Sequence, residues 1–156
     1  MDYKGLKEKI MNILFVCTGN TCRSPMAAAL MNKIAIDEGL DIRIESAGLF
    51  AEEGAPASNE AIVVMKKYDI DLLQHHAQQI NSELIEKSDL ILTMTAAHKM
   101  LFSDVVADKV YTLCEYAGVE GDIDDPYGGD VEEYEEVAEM IYLALQAMVE
   151  KLEKEK

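Results

Sequence analysis

Cys17 and Arg23 are separated by five residues in the segment Cys17-Thr18-Gly19-Asn20-Thr21-Cys22-Arg23-Ser24-Pro25. A thiol and a guanidinium at that spacing suit chemistry on a tetrahedral oxyanion. Thr18, Gly19, Asn20 and Thr21 are small or turn-tolerant, so successive backbone N–H groups can turn inward and form an anion-binding concavity. Ser24 as N-cap and Pro25 at the first helical position predict a helix that begins at once, with its positive end facing the same anion. What favours an oxyanion there also favours a thiolate at Cys17, the form of sulfur that attacks. Arg23 can bind two equatorial phosphoryl oxygens through its planar fork, and Ser24 can hydrogen-bond the sulfur. A lone cysteine at a strand end is more often a buried structural residue, but that explanation leaves the turn-rich loop and the arginine unaccounted for. Neither G-x-x-x-x-G-K-[ST] nor G-x-G-x-x-G occurs, so nucleotide binding is not indicated.

The segment before the loop, Asn12-Ile13-Leu14-Phe15-Val16, is a nearly unbroken apolar run, the pattern of a strand covered on both faces. Three further strands are expected at residues 42–46, 90–94 and 110–113; the one at 42–46 alternates in polarity and is therefore nearer an edge, while the one at 90–94 reads as central. Helical spacing appears between them: Leu30, Ile34 and Ala35 before Gly39; Ala61, Val64, Met65 and Tyr68; and shorter stretches near 82–87 and 96–103. The last segment is the clearest helix. Val137, Ile141, Ala144, Leu145, Met148 and Leu152 recur at steps of three and four, Asp130 with Glu133 reads as its cap, and Lys151, Lys154 and Lys156 suit its C-terminus. Strands alternating with helices predict parallel β-α-β units, hence an α/β three-layer sandwich with a four-stranded parallel sheet and helices on both faces. In such folds ligands bind beyond the C-terminal ends of the strands, which is where the cysteine loop falls.

A chain of 156 residues fits one domain with a single core. Residues 1–10 are polar and precede a second methionine, so they read as an N-terminal extension to a domain spanning 11–156. The opening MDYKGLKEKI lacks the apolar stretch of a secretory signal, and no segment has the length and apolarity of a membrane span. Fourteen Lys+Arg against thirty Asp+Glu give a net charge of −16, which repels nucleic acid phosphates and anionic lipid. The cysteines Cys17, Cys22 and Cys114 make no even framework. A reduced, cytoplasmic, monomeric protein is expected, with neither a nucleic acid nor a membrane partner. Cys17 and Cys22 without a second pair make no zinc site, and Pro126 and Tyr127 break the calcium-loop spacing of Asp122, Asp124 and Glu133. No metal and no cofactor is expected.

The stretch VCTGNTCRSPMA is a strand followed by Cys-x5-Arg-Ser-Pro. Ser46-Ala47-Gly48 follows the second strand, and Asp125-Pro126-Tyr127-Gly128-Gly129 precedes the last helix. Together, in this order, these motifs resemble the low-molecular-weight protein-tyrosine phosphatases from about Met11 onward. The resemblance implies Cys17 as nucleophile forming a phosphocysteine, Arg23 as phosphoryl clamp and Asp125 as general acid and then base. Thr18, Gly19, Asn20, Thr21 and Cys22 would form the substrate-binding loop, and Tyr127 an aromatic wall. Asn20, Ser24, Ser46 and His75 would form a supporting hydrogen-bond network; His75 is chosen over His76 by its distance from the third strand.

Where phosphotyrosine-specific members carry a bulky aliphatic residue, this chain has Thr21. Asn-Thr-Cys-Arg-Ser-Pro together with Gly128-Gly129 resembles the bacterial protein-arginine phosphatase branch, which implies phosphoarginine on proteins as the favoured substrate. Three alternatives remain: phosphotyrosine on the same scaffold, an arsenate reductase, or a phosphate-binding redox module in which Cys17 and Cys22 form a reversible disulfide. A reductase of related fold would need a further cysteine pair, and Cys114 alone is expected to be buried and apolar in role. A pure binder would have no use for the proton donor Asp125.

Overall fold

The computed structural model describes residues 11–154, so the expected extension at 1–10 lies outside the described residues. Four parallel strands, β1 (Met11–Cys17), β2 (Ile42–Gly48), β3 (Leu90–Thr93) and β4 (Val110–Thr112), pair in the order β2-β1-β3-β4. The alternating strand lies at the edge, as its pattern predicts. The helices are α1 (Arg23–Glu38), α2 (Asn59–Lys66), α3 (Ser82–Lys87), α4 (Ala96–Lys99), α5 (Leu113–Ala117) and α6 (Val131–Lys154), with a 3-10 turn at Asp104–Lys109.

Side chains of β1 alternate between two cores. Ile13, Phe15 and Cys17 join α1, α2 and α6 through Met26, Leu30, Met65, Ile141 and Leu145. Leu14 and Val16 face the other way, with Ile91 and Val110, onto Leu84 of α3 and Phe102 and Val106 near the 3-10 turn. Helices therefore cover both faces of the sheet, which makes the three layers the sequence predicts. The long helix α6 starts where expected, the Asp130 carboxylate accepting from the Glu133 amide at 2.9 Å.

Two local expectations need correction. Ser24 does not cap α1. The helix begins at Arg23 with Cys22 as its N-cap, at φ −123° and ψ −86° and with no side-chain cap hydrogen bond. Pro25 is then the third helical residue, still within the first turn, where an N–H has no intrahelical partner to lose. Leu113, read as the end of the fourth strand, instead opens α5. The hydroxyl of Thr112 accepts from the Glu115 amide, and the Glu115 carboxylate accepts from the Thr112 amide, a reciprocal cap that stops the strand.

The end of β2 packs against the cysteine loop more closely than a side chain would allow. Gly48 pairs with Cys17, and a Cβ there would lie 2.7 Å from the Thr18 carbonyl oxygen and 3.0 Å from the Asn20 nitrogen. Both neighbours are backbone and cannot rotate aside. Gly48→Ala is expected to destabilise the protein by about 1–3 kcal/mol, the usual cost of an overpacked buried site, seen as a lower urea midpoint; an unchanged midpoint would mean the loop can shift freely.

Candidate active site

Beyond the C-terminal end of β1 the chain forms a cavity of about 230 Å3, lined by Cys17, Thr18, Gly19, Thr21, Cys22, Arg23, Asp125 and Tyr127. These residues come from two segments more than a hundred positions apart. Arg23 joins them: its Nη1 donates to the Ile123 carbonyl at 3.0 Å, and its Nη2 lies 3.5 Å from an oxygen of Asp125. The guanidinium is 5% exposed, whereas the Asp125 side chain is 53% exposed and reaches solvent at the pocket mouth. The other Asp125 oxygen accepts from the Tyr127 amide at 3.0 Å, which fixes the turn that carries both residues. The Tyr127 ring is 80% exposed at the rim.

Behind the pocket, Asn20 organises the loop. It adopts φ +58°, a left-handed conformation that few residues other than glycine take readily, asparagine among them. Its amide nitrogen donates to Ser24 Oγ at 2.8 Å and to Ser46 Oγ at 2.9 Å, while its amide oxygen accepts from the Gln78 backbone N–H at 3.0 Å. These partners fix which end of the amide is which. The Asn20 carbonyl can only accept, so His75 Nε2, 2.7 Å away, carries the hydrogen. Burial lowers the His75 pKa, with a smaller push in the same direction from His76 and an opposing one from this bond to Asn20.

The chain of donors ends on sulfur. Ser24 Oγ lies 2.8 Å from Cys17 Sγ; its other side-chain partner among the described residues, the Asn20 amide, is a donor, so the sulfur is the acceptor left for the hydroxyl's own hydrogen. That contact holds the sulfur in place at the end of β1. The uncapped start of α1 leaves its first N–H groups without a side-chain acceptor, so they remain available to an anion in the loop.

The structure places Cys17, Thr18, Gly19, Thr21, Cys22, Arg23, Asp125 and Tyr127 around one pocket, and Ser24, Ser46 and His75 around Asn20 behind it. Asn20 differs from expectation in one respect: it does not line the pocket, and its side chain lies wholly on the supporting side. The three cysteines are free. Cys22 lines the pocket, but its sulfur also sits 3.2 Å from the buried Tyr134 hydroxyl and 3.7 Å from Ser58 Oγ. The Tyr134 pKa is raised, mainly by burial and then by its bond with Cys22. Cys114, the candidate for an arsenate reductase relay, is buried at the start of α5, and burial raises its pKa. Sequence reasoning missed Tyr134, Ser58, Gln78 and His98, the last of which places Nε2 2.9 Å from the Thr18 hydroxyl.

A family model described as low molecular weight phosphotyrosine protein phosphatase matches residues 12–156. The chain belongs to that family. It is therefore a cysteine-based phosphatase of the low-molecular-weight type, a hydrolase. A protein-arginine-phosphatase from Bacillus subtilis (strain 168) is 40% identical over 150 residues, covering 94% of this chain and 99% of that protein. Among solved structures, a YwlE arginine phosphatase mutant with a phosphorylated active-site serine superposes with a TM-score of 0.89 at 39% identity, covering 94% of this chain and 98% of the other. The low molecular weight protein tyrosine phosphatase from T. tengcongensis gives a TM-score of 0.86 at 43% identity, covering 90% and 99%.

Asn20→Ala would remove the donors to both serines and strand the Gln78 N–H, at about 1–3 kcal/mol for an unsatisfied buried group. A loop displaced on the ångström scale loses on the order of 100-fold in rate. We expect Asn20→Ala to stay folded by circular dichroism while its kcat/KM on an aryl phosphate falls about 100-fold; near-normal turnover would show that the loop holds itself.

Proposed function

We propose that this protein removes phosphate from phosphoarginine side chains of proteins through a phosphocysteine at position 17. The observation that carries the chemistry is the donor chain from Asn20 through Ser24 to the Cys17 sulfur, set beneath a pocket shared with Arg23 and Asp125. In the first step Cys17 Sγ attacks phosphorus in line, the P–N bond breaks, and Asp125 gives its proton to the departing guanidine nitrogen. In the second, water attacks phosphorus, Asp125 takes its proton, and the P–S bond breaks to release inorganic phosphate. The loop amides and Arg23 stabilise the charge on the transferring group in both steps. Arg23 meets Asp125 on one side and the pocket on the other, so it can hold the acid and the phosphoryl group in mutual register.

The choice of phosphoarginine rests on Thr21 in the pocket wall, a short polar side chain that leaves room for a planar guanidinium, and on the name of the B. subtilis relative. The Gly128-Gly129 dipeptide carries less weight than its sequence position suggests. Gly128 has φ +82°, and a Cβ on Gly129 would lie 2.9 Å from the Pro126 oxygen, so local turn geometry alone requires both glycines. A phosphotyrosine substrate is the second reading, favoured by the exposed Tyr127 ring, against which an aromatic ring could stack. No helix among the described residues is long and apolar enough to cross a membrane. A cytoplasmic monomer acting on phosphorylated proteins is the setting we propose, supported by the three free cysteines.

Two measurements test this assignment. Wild type is expected to turn over phosphoarginine peptides in preference to phosphotyrosine peptides, and Thr21→Ile to shift that ratio toward phosphotyrosine by about ten-fold or more, the effect of about 1.4 kcal/mol in differential binding. A wild type that prefers phosphotyrosine, or a ratio unmoved by the substitution, would overturn the substrate assignment. Asp125→Asn should slow hydrolysis of phenyl phosphate far more than that of nitrophenyl phosphate, whose leaving group needs no proton; equal losses on both would exclude Asp125 as the donor.

A further inference from the structure

His98 lies in α4, outside every motif that marks the site, yet it is 8% exposed and touches the loop. Its Nε2 is 2.9 Å from the hydroxyl of Thr18, the residue after Cys17 and part of the pocket wall. Its Nδ1 is buried and has no hydrogen-bond partner among the described residues. Burial lowers the pKa of this imidazole, and the nearby Arg23 lowers it further, against the pull of Asp125 and Asp122. A neutral ring has two ways to meet Thr18. If the hydroxyl donates to Nε2, the ring hydrogen must sit on Nδ1, leaving a buried N–H unpaired. If Nε2–H donates to the hydroxyl oxygen, Nδ1 is a bare acceptor. Orphaned buried N–H groups are rarer than unsatisfied acceptors, so the second arrangement is preferred.

Thr18 is an exposed residue that lines the pocket, and its hydroxyl then keeps its own hydrogen to give. We propose that His98 is a positioning residue for phosphate binding: by donating to Thr18 Oγ1 it turns the Thr18 hydroxyl into a further hydrogen-bond donor to the phosphoryl group. The proposal rests on the phosphatase reading of this pocket. It assigns Thr18 a role for its side chain in addition to its backbone amide, and it gives a reason for a buried histidine beside an anion site even though one ring nitrogen stays unsatisfied.

The test uses inorganic phosphate as the probe, with its inhibition constant measured against an aryl phosphate substrate. Wild-type turnover and inhibition by phosphate come first, and their absence would overturn the phosphatase reading itself. Thr18→Val and His98→Leu are each expected to raise the phosphate inhibition constant about ten-fold, as for loss of one hydrogen bond to a charged group. kcat should change by less. Because both changes remove the same interaction, the double variant should be no more than about two-fold worse than either single. His98→Gln, whose side-chain amide can donate from nearly the place of Nε2, should recover inhibition to within about three-fold of wild type. Multiplying losses in the double variant, an unchanged inhibition constant in Thr18→Val, or a folded His98→Gln no better than His98→Leu would overturn the proposal. Should His98→Leu fail to fold by thermal melting, the Thr18→Val and His98→Gln constants decide alone.

Discussion

The whole site depends on holding one short loop in the shape that a left-handed residue gives it. Backbone amides point to a common centre only if the chain turns through a left-handed residue, and Asn20 is that residue, at φ +58°. The conformation is held because each polar group of Asn20 that faces the protein has a partner: two serine hydroxyls, the Gln78 amide and the His75 ring. These partners come from α1, β2 and the segment after α2. Most of them are uncharged, so the loop is shaped by hydrogen bonds whose geometry salt does not screen. The arrangement also serves chemistry directly, since the hydroxyl that receives from Asn20 passes its own hydrogen to Cys17.

Topology explains why the loop lies where it does. From β1 the chain crosses to β2 on one side and then returns past β1 to β3 on the other. At such a reversal the connections splay apart and leave a crevice beyond the strand ends. The Cys17 loop fills that crevice from β1, Gly48 closes it from β2, and the segment after β3 brings His98 and, through Ile123 bonded to Met94, the turn that bears Asp125. Arg23 then joins the two halves.

Much of this was legible before any coordinates, for identifiable reasons. Parallel strands buried on both faces spell themselves as apolar runs, and a loop that must hold an anion is confined to a few small residue types at fixed spacing. Asp130 with Glu133 announced α6. The same kind of signal, Thr112 with Glu115, announced α5 and was masked by the apolar run it interrupts. Ser24 looked like a cap because serine at a helix start usually is one; here its hydroxyl is committed to sulfur, and tertiary demand outweighs the local preference. Gln78, Tyr134 and His98 had no local pattern to give them away. Each is a single residue from a distant segment, and only the fold brings it to the loop.

The span of sequence that Arg23 bridges sets the order in which the protein can become competent during synthesis. The sulfur, the guanidinium and the loop amides emerge early, but Ser46 and Gly48, then His75 and Gln78, then Asp125 must follow before the pocket has its walls, and α6, which covers the α1 face of the sheet, comes last of all. A nascent chain on the ribosome therefore carries its reactive thiol for most of its elongation without the partners that direct it at phosphorus. Until the C-terminal third has left the exit tunnel, Cys17 is simply an unprotected cysteine, dependent on the reducing power of its surroundings.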